Sequence, residues 1–114
     1  MKKILCPTDF SETAQNGIVY AAKFAHHIGA TLTLFNVQSL FNISPFDVVK
    51  GKIQRVEAYK EMLEEQSYQI SITFKISCYA EVQPTSTSLA KTIADKATGY
   101  DLIIMGTNGA DDLF

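Results

Sequence analysis

The sequence predicts an α/β fold, an open parallel sheet with helices on both faces, and three observations carry that expectation. Short apolar runs alternate along the chain with segments whose apolar residues recur every three or four positions, the pattern of strands and helices taking turns. The first and fourth runs, Lys3-Ile-Leu-Cys-Pro7 and Asp101-Leu-Ile-Ile-Met105, are nearly continuous in apolar character, as strands covered on both faces are. Each stops at a turn-forming or small residue, Pro7 and Gly106. With 114 residues, a single domain spanning residues 1–114 around one core is expected.

In chain order, residues 3–7 read as a buried strand that Pro7 ends. Asp9 and Ser11 then offer side-chain oxygens to a helix start, with Glu12 in its first turn. Ala14, Ile18, Ala21, Ala25 and Ile28 line one face of that helix, and Gly29 closes it. Residues 31–37, Thr-Leu-Thr-Leu-Phe-Asn-Val, are rich in β-formers and make the second strand. Residues 38–46 are a loop ending in Ser44-Pro45, and a long helix follows. Val49, Ile53, Val56, Lys60 and Leu63 mark its inner side; Glu57, Glu61, Glu64 and Glu65 mark its solvated one. Ile70, Ile72, Phe74, Ile76 and Cys78 alternate with polar residues and Tyr79, which predicts a half-covered edge strand over residues 70–79. Gln83 to Ser88 reads as a turn and cap, Leu89, Ile93 and Ala97 as the face of a third helix closed by Gly99, and Asp101 to Met105 as the fourth strand. Right-handed crossovers are expected between the strands, and an order of 3-2-1-4 would put the reversal of strand order between the first and the fourth.

Ten basic and twelve acidic side chains give a net charge of −2 and no basic footprint for nucleic acid or an anionic membrane. The N-terminus reaches Pro7 after three apolar residues, too few for a signal-peptide core, and no run approaches the roughly 20 apolar residues of a membrane span. A cytoplasmic location is expected. Cys6 and Cys78 have neither redox nor zinc spacing and read as small core residues. The adjacent His26 and His27 diverge by about 100° around a helix and do not share a metal.

In a parallel sheet ligands collect beyond the carboxyl ends of the strands, where the strand order reverses, here between strands one and four. That places Asp9 opposite Gly106. A carboxylate at Asp9 can accept from a ribose hydroxyl or an adenine amino group or help hold a metal beside phosphates; it can equally be a turn aspartate that starts a helix. Gly106 and Gly109 allow close backbone approach to a ligand, a positive φ, or an anion-binding nest, and also make a simple turn. The Walker and dinucleotide glycine spacings are absent.

Three segments in order, Ile4-Leu-Cys-Pro-Thr-Asp9 with its serine-bearing helix start, the strand ending in Asn36-Val37, and Asp101-Leu-Ile-Ile-Met-Gly-Thr-Asn-Gly109, resemble the universal stress protein family. The resemblance covers essentially the whole chain. It implies a Rossmann-like sheet of order 3-2-1-4-5, the fifth strand lying beyond Phe114, and an ATP site at the ends of strands one and four. By matching position Pro7, Thr8 and Asp9 would line the adenosine, Val37 would meet adenine through its backbone, and Met105, Gly106, Thr107 and Gly109 would form the near wall and the first half of the phosphate loop. The family motif G-x2-G-x9-G-[S/T] would place its third glycine at position 119, so ATP, with or without magnesium, is expected to bind weakly or not at all to these 114 residues.

Binding is favoured over turnover, because no histidine falls near a cleft strand and neither Asp9 nor Thr8 has an evident activating partner. The expected function is adenine-nucleotide binding in a stress response, with a homo-oligomer, a dimer, as the expected assembly. The alternative is an interaction module of the branch that does not bind ATP. An adenine-nucleotide hydrolase would carry a glycine-rich loop after the first strand, and Pro7 to Glu12 has no glycine.

Overall fold

The computed structural model describes residues 2–39 and 48–106, with residues 48–55 described by their backbone alone. Seven elements follow one another: β1 (Lys3–Pro7), α1 (Glu12–Ile28), β2 (Thr31–Ser39), α2 (Val48–Phe74), β3 (Cys78–Thr85), α3 (Leu89–Ala97) and β4 (Leu102–Ile103). The described strands form one parallel sheet of order β3-β2-β1-β4, the order that the resemblance implies for the first four strands.

α1 follows its local signals closely. The Ser11 hydroxyl accepts from the Ala14 N–H at 3.1 Å, and Gly29, at φ 69°, turns the chain so that the Ala30 N–H reaches the Ala25 carbonyl at 2.9 Å. Its buried face is made of small residues, with Ile18 the large exception, so the helix lies close to the sheet.

Strand alternation divides the core into two layers. Ile4 and Cys6 of β1 and Leu32 and Leu34 of β2, all fully buried, pack with Ile18, Ala21, Ala22 and Ala25 of α1 and with Leu63 and Ile70 of α2. Full burial of each large member is worth about 1.5–3 kcal/mol. On the opposite face Leu5 and Phe35 are fully buried, and Lys96 of α3 extends its ammonium over the Phe35 ring and pairs with Glu81.

The largest departure from expectation lies at residues 70–85. Residues 70–74 are the last turn of α2, and β3 begins only at Cys78 and continues through Pro84 and Thr85, read from the sequence as a turn. Leu63, Ser67 and Ile70 are buried and Phe74 is half-buried, steps of four, three and four along a helix. Ile72, which the alternation would bury, is 55% exposed. The helix ends at Lys75, φ 57°, with the Ile76 N–H on the Ser71 carbonyl. β3 nonetheless occupies the expected edge, where Pro84 is tolerated: Cys78, Ala80 and Val82 face the core and Tyr79, Glu81 and Gln83 face solvent.

Smaller corrections follow. Ile28 is exposed; Thr98 rather than Gly99 caps α3; Leu89 is exposed and Thr92 buried in its place. β4 is only two residues long, although Asp101 and Ile104 extend its hydrogen bonding to Lys3 and Leu5. Leu102 and Ile103 are 40% and 41% exposed because β4 pairs with β1 on one side and with no other described strand. Cys6 is buried and Cys78 half-buried; burial pushes both thiols up to about 12. No described helix is long and apolar enough to cross a membrane. Ser44, Pro45 and the side chains of Val49 and Ile53 lie outside the described residues.

Candidate functional site

The turn from β1 into α1 is fixed by side chains answering backbone groups. The Thr8 N–H donates to the Phe35 carbonyl at 2.8 Å, the last rung between β1 and β2. The Thr8 hydroxyl accepts from the Phe10 N–H at 3.1 Å, and Asp9 Oδ1 accepts from the Ser11 N–H at 2.9 Å. Phe10 stands at φ 65°, a left-handed conformation costing roughly 1–2 kcal/mol for a residue with a Cβ. Its ring stacks on Tyr59 of α2 with centroids 5.2 Å apart, an interaction of the same order. Hydrogen bonds from the Ser11 side chain and then its backbone hold the Asp9 carboxyl below its ordinary 3.8. Asp9 therefore does start the helix turn, as the plainer of its two readings has it, and its carboxylate is also exposed beside a cleft.

Across the cleft, β4 delivers Met105 and Gly106. The need for glycine at 106 differs from the sequence expectation: φ is not left-handed there, and what crowds the position is α1. A Cβ on Gly106 would overlap the Thr13 carbonyl, and one on Gly17 would meet the Gly106 nitrogen at 2.5 Å. The close approach is made to a helix within the protein.

The cleft has a volume of about 210 Å³. Pro7, Thr8, Asp9, Val37, Met105 and Gly106 all line it, so the structure brings together six of the eight residues singled out in the sequence; Thr107 and Gly109 lie outside the described residues. Ser11, Thr13 and Ala14 from the first turn of α1 also line it, as do Phe35 and Asn36 from β2 and Leu89 and Ile93 from α3. Sequence reading missed the α3 contribution because Leu89 and Ile93 look like an ordinary helix face. Asn36 carried a signal, a polar residue within a buried strand; it is 3% exposed.

The lining combines apolar Phe35, Val37, Ile93 and Met105 with the polar groups of Thr8, Asp9 and Ser11. Such a mixed lining suits a flat ring joined to a polar, hydroxylated portion. Among the described residues no group of three or more carboxylate, histidine or cysteine side chains is arranged to hold a metal.

Residues 1–113 match the family model described as the universal stress protein family. Comparison with curated proteins gives no match. Among solved structures, a protein of this family from Burkholderia pseudomallei is similar with TM-score 0.82 at 18% identity, covering 97% of this chain and 85% of that one. The universal stress protein UspA of Lactobacillus plantarum gives 0.75 at 26% identity, covering 94% and 79%. A family protein of Arabidopsis thaliana, solved with AMP bound, gives 0.63 at 16% identity, covering 96% and 78%. With the family's pattern running from residue 1 to 113, the chain belongs to the universal stress protein family.

Proposed function

We propose that the cleft between the carboxyl ends of β1 and β4 binds an adenine nucleotide, with ATP as the ligand in the cell and magnesium arriving on its phosphates. The observation that carries this reading is the convergence of Pro7, Thr8, Asp9, Val37, Met105 and Gly106, drawn from three strands, on one cleft at the point where the strand order reverses. The apolar lining residues accept the base beside the Val37 backbone, and the exposed Asp9 carboxylate accepts hydrogen bonds from the ribose. The AMP held by the Arabidopsis thaliana relative supports the ligand class. Thr107 and Gly109, one and three residues after Gly106, are assigned to the phosphates on the strength of the family pattern.

The reading is of binding, with a role in stress response, and not of turnover. A carboxyl held below its ordinary range is a weak base at neutral pH, so Asp9 is poorly suited to activating a water.

Calorimetric titration of AMP, and of ATP with magnesium, tests the proposal. Saturable micromolar binding that weakens in Asp9→Ala supports it. An absence of heat at several temperatures overturns it for this chain and favours the second reading, an interaction module. That reading draws on β4, which pairs with β1 alone among the described strands and where Leu102 and Ile103, with Met105 just beyond, stand 40–49% exposed.

A further inference from the structure

β1 and β2 part company at Thr8. β2 continues beside β3 through Ser39, while the chain at Thr8 leaves the sheet for α1. The Thr8 N–H still reaches Phe35, which fixes the peptide plane before Thr8. The next peptide, between Thr8 and Asp9, has no ladder partner, yet Thr8 is only 7% exposed and its carbonyl needs a donor. Asn36 supplies it: Nδ2 donates to the Thr8 carbonyl at 2.8 Å. Gln38 Nε2 donates in turn to Asn36 Oδ1 at 2.5 Å. That second bond selects one face of the carboxamide, because a flipped Asn36 would set oxygen against the Thr8 carbonyl and two donors against each other.

We infer that Asn36 is a positioning residue for Asp9, and that Gln38 holds it in that role. By fixing the Thr8–Asp9 peptide plane, the carboxamide sets the direction in which the Asp9 carboxylate meets the ribose hydroxyls of a bound nucleotide. The bonds from the Phe10 N–H to the Thr8 hydroxyl and from the Ser11 N–H to Asp9 lie within the turn, and the Phe10 ring anchors it on Tyr59, but it is Asn36 that acts on the Thr8–Asp9 peptide itself. The inference rests on the nucleotide reading proposed above.

Adenosine and 2′,3′-dideoxyadenosine are titrated into the wild type, Asp9→Ala, Asn36→Ala, Gln38→Ala and the Asp9→Ala/Asn36→Ala double variant. The wild type is expected to prefer adenosine by roughly tenfold, the scale of one charge-assisted hydrogen bond. In Asn36→Ala the preference should fall close to that of Asp9→Ala while dideoxyadenosine binds within about twofold of wild type, and the double variant should discriminate no worse than Asp9→Ala. A purely structural Asn36 would weaken both ligands alike or neither, and either result overturns the inference. Should Asn36→Ala fail to fold, Gln38→Ala leaves the Thr8 donor in place but releases its orientation; an unchanged preference there overturns the inference as well. A wild type that binds neither nucleoside and gives no heat with AMP or ATP overturns the nucleotide reading itself, whereas a wild type that binds, with its preference undiminished in Asn36→Ala, overturns the positioning role alone.

Discussion

Gly106 sits against the Thr13 carbonyl of α1 with no room for a side chain, so the end of β4 and the first turns of α1 hold each other in place. Two of the cleft's walls are thus one packed unit.

Gly106→Ala should force that unit apart. The obstacle is backbone rather than a flexible side chain, so an overpacking loss of about 1–3 kcal/mol is expected. Chemical denaturation would show it as a lowered midpoint at unchanged slope. Nucleotide affinity should fall with it, since Met105 moves too.

Asp9→Ala should weaken adenine-nucleotide binding by roughly tenfold, the loss of one charge-assisted hydrogen bond, while the fold persists on the remaining Ser11 cap. The same residue carries a pH signature. Because its folded carboxyl lies below 3.8, its contribution to stability is complete above the unfolded value and is lost as pH falls through the folded one. Acid unfolding of Asp9→Ala below about pH 3.8 should be correspondingly flatter than that of wild type. Parallel acid titrations of the two proteins followed by circular dichroism would check this.

Lys75→Gly should stabilise the chain by about 0.5–1 kcal/mol, since glycine adopts the left-handed conformation at that position without steric penalty. Were residues 70–79 one strand, the same change would weaken it. Thermal unfolding of the variant therefore checks the boundary between α2 and β3 directly.

Both thiols are pushed up to about 12, so neither is appreciably ionised at pH 8. An aromatic disulfide reagent at that pH should label Cys6 no faster than the protein opens, Cys78 only slowly, and both within seconds in denaturant. Rapid native labelling of Cys6 would contradict its complete burial.

Exposed Leu102 and Ile103 on a strand that pairs with β1 alone among the described strands favour association between copies. Analytical ultracentrifugation should show a concentration-dependent increase in mass that Leu102→Lys/Ile103→Lys suppresses. A monomer at every concentration would remove this expectation.

How far the fold was legible depended on how local its causes are. α1 could be read almost residue by residue because Ser11 and Gly29 act on backbone groups within a turn of themselves. The boundary between α2 and β3 could not, because Ile70, Ile72 and Phe74 satisfy a period of two while Leu63, Ser67, Ile70 and Phe74 satisfy the helical one, and a serine serves as one of the buried steps. No glycine or proline marks the end of α2; a lysine takes the left-handed position. In the site, Asp9 and Gly106 were accessible from strand ends and turn chemistry. Asn36 and Leu89 were not placed in the cleft, since their parts in it depend on which strand and helix lie alongside.

The Asp101 carboxylate accepts from the Lys3 N–H at 2.8 Å across a separation of 98 residues, and the Asp101 N–H returns the bond to the Lys3 carbonyl. A pairing of such low locality forms after the compact unit of β1, α1 and β2 has already taken shape, because its loop closure is the most demanding in the sheet. During synthesis β1 waits on the ribosome for β4, its inner flank unpaired, for several seconds at ordinary elongation rates of about 5–20 residues per second. Pro7 to Asp9 and Met105 to Gly106 meet only when that wait ends, so under the nucleotide reading proposed above a ligand that bridges them stabilises the chain only after β4 has joined.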